Sequence, residues 1–337
     1  MHKSTITIRD VAKAAGVSVS TVSRVLNDRD GVSPTTYQRV RQVIEELNYA
    51  SNLAARSMRL QQTGVIGVVA PDLRSAFTLQ VIRSVSAAVE ERGYELLVFT
   101  SSRVDGEEDQ ALREQRHVHL LNSGLTDGTI VLTPHATTFP SERPVVVIDP
   151  NRHGVEVPAV LSTNYAGARA AMAYLFELGH RRIGFVGGRP DLQSAVRRWE
   201  GYRDSLMEQG ISLDPTLVCR GDFTREGGYA CGQRLLSLAQ PPTAIFAAND
   251  ESAIGVLKAA RDLGVPVPQA LSVVGFDNIT ESAWTTPPLT TVDQALEGMG
   301  QAAVDLLFES MAGKPVAAVH KVATELVIRE SCGPPAR

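Results

Sequence analysis

The chain has 337 residues, 43% hydrophobic and 21% charged, with a formal net charge of −4. That length exceeds the roughly 250–300 residues at which one core stops growing, so several compact units are expected, and the composition excludes wholesale disorder. A uniformly basic nucleic-acid binder is excluded too, although residues 1–62 carry nine Lys and Arg against five Asp and Glu while the remainder carries 24 against 32. Such a cationic head can meet phosphate while the anionic body is repelled from it.

The N-terminal MHKSTITIRDV has no apolar signal core, and nowhere do 18 apolar residues run uninterrupted, so a soluble, cytoplasmic protein without membrane contact is expected. Cys219, Cys231 and Cys332 are scattered and odd in number, with no CxxC or Cys/His spacing. They indicate neither a zinc site nor a disulfide framework.

Residues 7–26, TIRDVAKAAGVSVSTVSRVL, read as two short helices around a turn. Thr7 and Asp10 have capping-box spacing, Gly16 makes the turn, and Ser18 caps the second helix. Val22, Val25 and Leu26 share an inward face of that helix, leaving Val19, Ser20, Ser23 and Arg24 outward. Ser33-Pro34 starts a third helix whose Val40, Val43, Ile44 and Leu47 close a small core. This is a helix-turn-helix, which lays one helix into the DNA major groove. Thr7, Ser18, Thr21, Ser23, Asn27, Ser33 and Thr36 are short donors near helix starts that suit phosphate oxygens, and Arg24 can offer a guanine edge two donors. Any three-helix unit shows apolar stripes and Ser/Thr caps; the density of phosphate-binding types at exposed positions favours the functional reading.

DVAKAAGVSVSTVSRVLN, then VSPTT, RVRQVIEELNY and NLAARSMR, resembles the DNA-binding head of the LacI/GalR family of bacterial transcription regulators, and the resemblance covers essentially the whole chain. It implies that Val19, Ser20 and Arg24 read bases, and that Tyr49, Asn52, Ala55 and Met58 contact DNA in or beside a hinge helix over Asn52–Arg59. Met58 stands where the family usually has a Leu wedge, and Ser51 where a Pro is common; Met is still an apolar wedge.

Behind the head, strand-length apolar runs alternate with amphipathic stretches. A first set is VIGVVA (65–70), ELLVFTS (95–101), GTIVLT (128–133), PVVVID (144–149) and AVLST (159–163). RIGFVG (182–187), AIFAAND (244–250) and LSVVGFD (271–277) form a second. Helices are expected near 78–92, 106–123, 165–179, 194–210, 225–239 and 250–264. The alternation implies doubly wound parallel sheets in two subdomains with a cleft between them, and ligands in such sheets sit beyond the carboxyl ends of the strands. The resemblance implies the same: an all-α helix-turn-helix head plus an α/β periplasmic-binding-protein-like body of two doubly wound parallel-sheet subdomains. The expected division is a head over 1–48, a hinge and linker over 49–62, a first subdomain over 63–163 with 293–321, and a second over 164–292 with 322–333.

The strand-end rule singles out Asp149, Asn249-Asp250 and Asp277-Asn278, while Arg198 lies early in a helix following the RIGFVG strand. A planar Arg flanked by carboxylates and an amide suits the vicinal hydroxyls of a sugar, and Phe223 could stack on a ring. The RxxGY, AND, GFD and GDF motifs carry the resembled family's effector pocket onto Arg198, Asn249, Asp277 and Phe223, with Asp149 beside them and Leu161 and Leu296 closing one wall. The bland alternatives are a helix cap for Asp250, a solvated ion pair for Arg197, packing for Trp284 and a helix-end contact for His180.

PPLTTV (287–292) and TELVIRES (324–331) resemble the family's subdomain crossovers. The chain stops soon afterwards without a leucine-heptad extension, so a homodimer reading a palindrome-like operator is expected. GxSxG, HExxH and the P-loop pattern are absent, and GFVGG does not fit GxGxxG. No enzyme, cofactor or metal site is expected. The expected function is a DNA-binding transcriptional regulator, a repressor, switched by a small ligand, a mono- or oligosaccharide. The alternatives are a purine or phosphoprotein co-repressor, or a sugar-binding protein with no DNA role.

Overall fold

The structure, a computed structural model, describes residues 6–26, 30–47, 62–101 and 109–336. It divides into two compact units, residues 1–63 and 64–337, each taken by itself.

The first unit holds helices α1 (Ile8–Ala15), α2 (Val19–Leu26) and α3 (Pro34–Glu46). The Asp10 carboxylate accepts the Thr7 N–H at 2.8 Å and the Thr7 hydroxyl at 2.7 Å, fixing the start of α1. Gly16 ends it at φ +64°, letting the Val17 N–H reach back to the Ala12 carbonyl at 3.0 Å, a left-handed stop that a Cβ would strain. Ser18 Oγ accepts the Thr21 N–H at 3.1 Å, and Ser33 Oγ accepts the Thr36 N–H at 3.3 Å with Pro34 next in line. Val11, Val22, Val25 and Val40 are fully buried, each contributing about 1.5–3 kcal/mol. Val19 departs from its expected outward place. It is half-buried on this core because it lies one turn before Val22 on the same stripe.

The second unit contains two six-stranded sheets. The first comprises β1 (Val65–Ala70), β2 (Glu95–Thr100), β3 (Gly128–Leu132), β4 (Val145–Ile148), β5 (Ala159–Ser162) and β11 (Val319–Val322), in the order β2-β1-β3-β4-β5-β11 and parallel throughout. The second comprises β6 (Ile183–Gly187), β7 (Val218–Arg220), β8 (Ala244–Ala247), β9 (Ser272–Asp277), β10 (Thr290–Asp293) and β12 (Glu325–Val327), in the order β7-β6-β8-β9-β10-β12. Its edge pair β10–β12 is antiparallel, the others parallel.

Helices cover both faces, which is why the central strands are nearly all apolar. On the first sheet α4 (Ala76–Glu90) and α10 (Leu296–Met311) lie on one face and α5 (Gln110–Asn122) on the other. On the second, α6 (Asn164–Glu177) and α7 (Gln193–Glu208) oppose α8 (Arg225–Leu236) and α9 (Asp250–Asp262). The chain passes between the sheets after β5, after β10 and between β11 and β12. Thr163 and Thr324 tie two of those passages together, their hydroxyls 2.9 Å apart.

Five elements go beyond the sequence reading: the edge strand β7, which is too short for a pattern, and β10, α10, β11 and β12, which lie in or between the returning crossovers. The reading of the cysteines is corrected, since Cys219 on β7 and Cys231 on α8 form a disulfide with Cα atoms 5.6 Å apart. A helix folding back onto the strand before it brings these positions together, which linear spacing does not reveal. No helix among the described residues is long and apolar enough to cross a membrane, and no group of His, Cys, Asp or Glu among them could hold a metal.

Candidate functional site

In the first unit, Ser20 and Arg24 are exposed on α2, whereas Thr21 and Ser23 are half-buried. Ser18 joins Ser20 and Thr21 through hydroxyl contacts of 2.7 and 2.8 Å, a short hydroxyl cluster at the start of the helix. Thr7 and Ser33 are likewise exposed at helix starts, with Thr36 half-buried behind Ser33. Three helix N-termini ringed with hydroxyls can bind anionic oxygens, and Arg24 adds a cation in the last turn of α2. Asn27, Tyr49, Asn52, Ala55 and Met58, and residues 49–61 of the expected hinge, lie outside the described residues.

In the second unit the loops at the carboxyl ends of the strands of both sheets line one cavity of about 600 Å³. Its buried floor centres on Arg198, near the start of α7. Arg198 Nε donates to Asn164 Oδ1 at 2.8 Å, and Nη1 donates to the Ala248 carbonyl at 2.5 Å and to Asp277 Oδ1 at 3.0 Å. The guanidinium carbon stands 3.8 Å from the centre of the Phe276 ring, which holds the group flat. Asp277, at the end of β9, also accepts from Gln294 Nε2 at 2.5 Å, while Gln294 Oε1 accepts from the Ser162 hydroxyl at 2.7 Å. Gln294 thereby joins the ends of β5 and β9, one strand from each sheet.

Asp149, at the end of β4, is buried beside the same Arg198 and takes a hydrogen bond from Ser194 of α7. Burial pushes the Asp277 carboxyl up to about 6, against the pull of Arg198 and the hydrogen bonds from Gln294 and Arg198 itself; nearby Asp149 adds to the rise. Asp149 is raised by burial as well, with Arg198 and Ser194 opposing. Two buried carboxylates share one guanidinium, so the floor has unspent acceptor capacity and favours a ligand rich in O–H or N–H donors.

Phe223 forms part of the wall. It sits at φ +70°, with the Arg198 guanidinium carbon 5.8 Å from its ring centre. A Cβ on Gly188 would lie 2.1 Å from the ring, so only glycine fits beneath it. Asn249 Oδ1 accepts the Ser252 N–H at 3.1 Å as the cap of α9, and its Nδ2 donates to the Phe223 carbonyl at 3.0 Å. Asn249 lines the cavity mainly by holding that loop. Thr133, Asp149, Phe223 and Asp277 all line the cavity and all have positive φ, four of the six non-glycine residues so placed among those described. Such conformations cost energy and gather where a site must be shaped.

Several expectations are corrected. Leu161 and Leu296 do not line the cavity. Leu161 points to the face of β5 shared with Ala159, and Leu296 is buried in the core of the first sheet at the start of α10. Asp250 is not the cap of its helix. Asn249 takes that place, and Asp250 instead accepts the Ile279 N–H at 2.9 Å and the Thr291 hydroxyl at 2.5 Å. Trp284 does not pack. It is 83% exposed, because the short 3-10 turn after β9 carries it outward, beside Tyr229, Lys258 and Arg261.

Arg197 is exposed and pairs with Glu200 at 2.9 Å. His180 is buried, bonding Thr243 through Nδ1 and Ser272 and the Gly333 carbonyl through Nε2, each at 2.9 Å. Sequence reasoning missed Gln294, His135, Asn151 and Ser194. The first three follow the ends of β10, β3 and β4, so the strand-end rule could have found them had it been applied to every strand.

The known proteins this chain is similar to agree with that geometry. Residues 7–52 match the family described as bacterial regulatory proteins, lacI family, and residues 172–332 match a periplasmic binding protein-like domain. The chain is 34% identical over 332 residues to the HTH-type transcriptional repressor CytR of Escherichia coli (strain K12), covering 96% of each chain. It is 34% identical over 335 residues to the HTH-type transcriptional repressor PurR of Pasteurella multocida, covering 96% of this chain and 98% of that one. Among solved structures it superimposes on the lac repressor dimer bound to operator and the anti-inducer ONPF, with a TM-score of 0.84, 27% identity and 97% and 98% coverage. The transcriptional regulator CelR–cellobiose complex gives a TM-score of 0.70, 33% identity and 97% and 99% coverage. This chain belongs to the LacI family of bacterial regulatory proteins.

Proposed function

We propose that this protein is a transcriptional repressor that binds a palindrome-like operator as a homodimer and loses affinity for it when a neutral sugar occupies the cleft. Ser20 and Arg24 read base edges in the major groove, and Thr7, Ser18, Thr21, Ser23, Ser33 and Thr36 orient the head on phosphates. The first effector subdomain comprises residues 63–163 with 293–321, the second 164–292 with 322–333. Such a protein works where the chromosome lies, in the cytoplasm.

The observation that carries the effector reading is the buried floor, in which Asp149 and Asp277 share Arg198 and Gln294 bridges the sheets. Two carboxylates against one guanidinium repel a phosphate or carboxylate ligand and welcome vicinal hydroxyls, which donate to the acids and accept from Arg198. Support comes also from the neighbouring structure that holds cellobiose. Because Asp149 follows a strand of the first sheet and Arg198 lies on a helix packed against the second, a sugar gripped by both changes the relative stability of open and closed clefts. By linkage a difference of about 1–3 kcal/mol between those states changes operator affinity by roughly 5–150-fold.

Operator fragments selected from a random duplex pool are titrated with the full chain, alone and with saturating sugars or with guanine and hypoxanthine. A saturating sugar lowers operator affinity at least fivefold. An affinity unmoved by every sugar that binds, or moved only by the purines, refutes the proposal.

A further inference from the structure

Resting on the sugar reading above, we propose that the effector is a chain of two or three sugar rings rather than a single one, and that His135 at the mouth of the cleft reads the ring beyond the floor. The first reason is size. A pyranose has about twelve non-hydrogen atoms and at interior packing fills on the order of 200 Å³. The cavity measures about 600 Å³, so one ring held on Arg198, Asp149 and Asp277 leaves most of it empty. Ligands in well-formed sites bury most of their surface, so the remaining space calls for further rings.

The second reason is how the mouth is built. The loop after β3 carries His135 on the first-sheet side, opposite Arg189 on the second-sheet side, both lining the cavity. That loop is anchored from several directions. Buried Glu114 of α5 accepts the N–H groups of His135 and Ala136, each at 2.9 Å. Asn151 donates through Nδ2 to the Thr133 carbonyl at 2.5 Å and through its N–H to the Pro134 carbonyl at 2.9 Å. Gln115 Nε2 donates to the Thr138 carbonyl at 2.9 Å.

A half-buried imidazole on so rigid a backbone is a placed group, not a solvated one. Burial lowers its pKa, with Arg189 and Arg152 adding to the fall and Asp191 and Asp109 opposing it, which favours the uncharged ring. A neutral imidazole both donates and accepts, which suits a hydroxyl pair. Phe77, Leu192 and Phe223 give the cavity apolar surface on which ring faces can stack.

The test is calorimetric titration of the full chain with three ladders: glucose, cellobiose and cellotriose; xylose, xylobiose and xylotriose; galactose with its β-1,4-linked dimer and trimer. In one ladder the disaccharide or trisaccharide binds at least tenfold more tightly than its monosaccharide, and His135→Ala cuts that gain at least fivefold. His135→Gln, which keeps a donor and an acceptor, restores part of it. A monosaccharide that binds as tightly as its longer relatives overturns the inference while leaving the sugar reading standing. A gain on lengthening that His135→Ala leaves unchanged overturns the role of His135. If no ladder binds at any length, the sugar reading falls and this inference with it.

Discussion

Replacing Asp277 by Asn tests whether the floor of the cleft is built for a ligand at the expense of stability. A carboxyl raised from 3.8 to about 6 in the folded protein is destabilised in its ionised form by about 3 kcal/mol. Below pH 3.8 both folded and unfolded chains hold the proton and nothing is lost. Between 3.8 and 6 the unfolded chain releases it first, so stability falls as pH rises, and above 6 the loss is complete.

Asn keeps the shape and one acceptor for Gln294 and Arg198 without the charge, and Arg198 retains Asn164, the Ala248 carbonyl and the nearby Asp149. Deleting one partner of a buried pair usually costs about 3–5 kcal/mol, but here the second carboxylate and the neutral replacement offset that cost. At pH 8 the effector unit of Asp277→Asn therefore melts about 5–10 °C higher than the parent, by differential scanning calorimetry, and the difference shrinks to about a third of that at pH 4.5. Effector affinity in the same variant falls about 10–100-fold, since a charged acceptor is lost. A variant less stable than the parent at pH 8, or equally shifted at both pH values, would refute the argument. It would mean that the Arg198–Asp277 pair stabilises the fold in its ionised state.

Two further substitutions separate the head from the cleft. Arg24→Ala reduces discrimination between operator and mismatched duplexes by about 1–3 kcal/mol in gel-shift titrations and leaves effector affinity unchanged; an equal loss on every duplex would make Arg24 a phosphate contact instead. Gly188→Ala drives a methyl into the Phe223 ring, so calorimetry shows effector affinity reduced at least fivefold while operator affinity without effector is kept. Wild-type effector binding in this variant would remove Phe223 from the wall.

Much of the architecture is legible in local pattern. The caps at Thr7, Ser18 and Ser33 and the left-handed Gly16 are properties of a few adjacent residues, and they delimit the head helices to within a residue. Central strands buried on both faces betray themselves as apolar runs, which is how VIGVVA and SVVGFD were recognised. Asp277 and Asp149 are legible because doubly wound sheets put their sites at strand ends, and Arg198 because it lies early in the helix that follows such a strand. The same rule erred where a strand-end residue has two fates. Asn249 both lines the cavity and caps α9, its backbone being extended at φ −154° and ψ 168°, while Asp250 turns inward to Ile279 and Thr291.

What the sequence by itself determined is local: which segments form helices or strands, where they start and stop, and which chemistry each brings. Only the tertiary structure decided what lies across the chain from what. Gln294 bridging Ser162 and Asp277, Glu114 holding the loop of His135, Cys219 beside Cys231 and the outward turn of Trp284 all depend on how separate elements pack. The physical reason is range. Capping and periodicity act over a few residues, whereas these contacts join positions up to 132 residues apart, whose meeting is settled only when the sheets and their crossovers are in place.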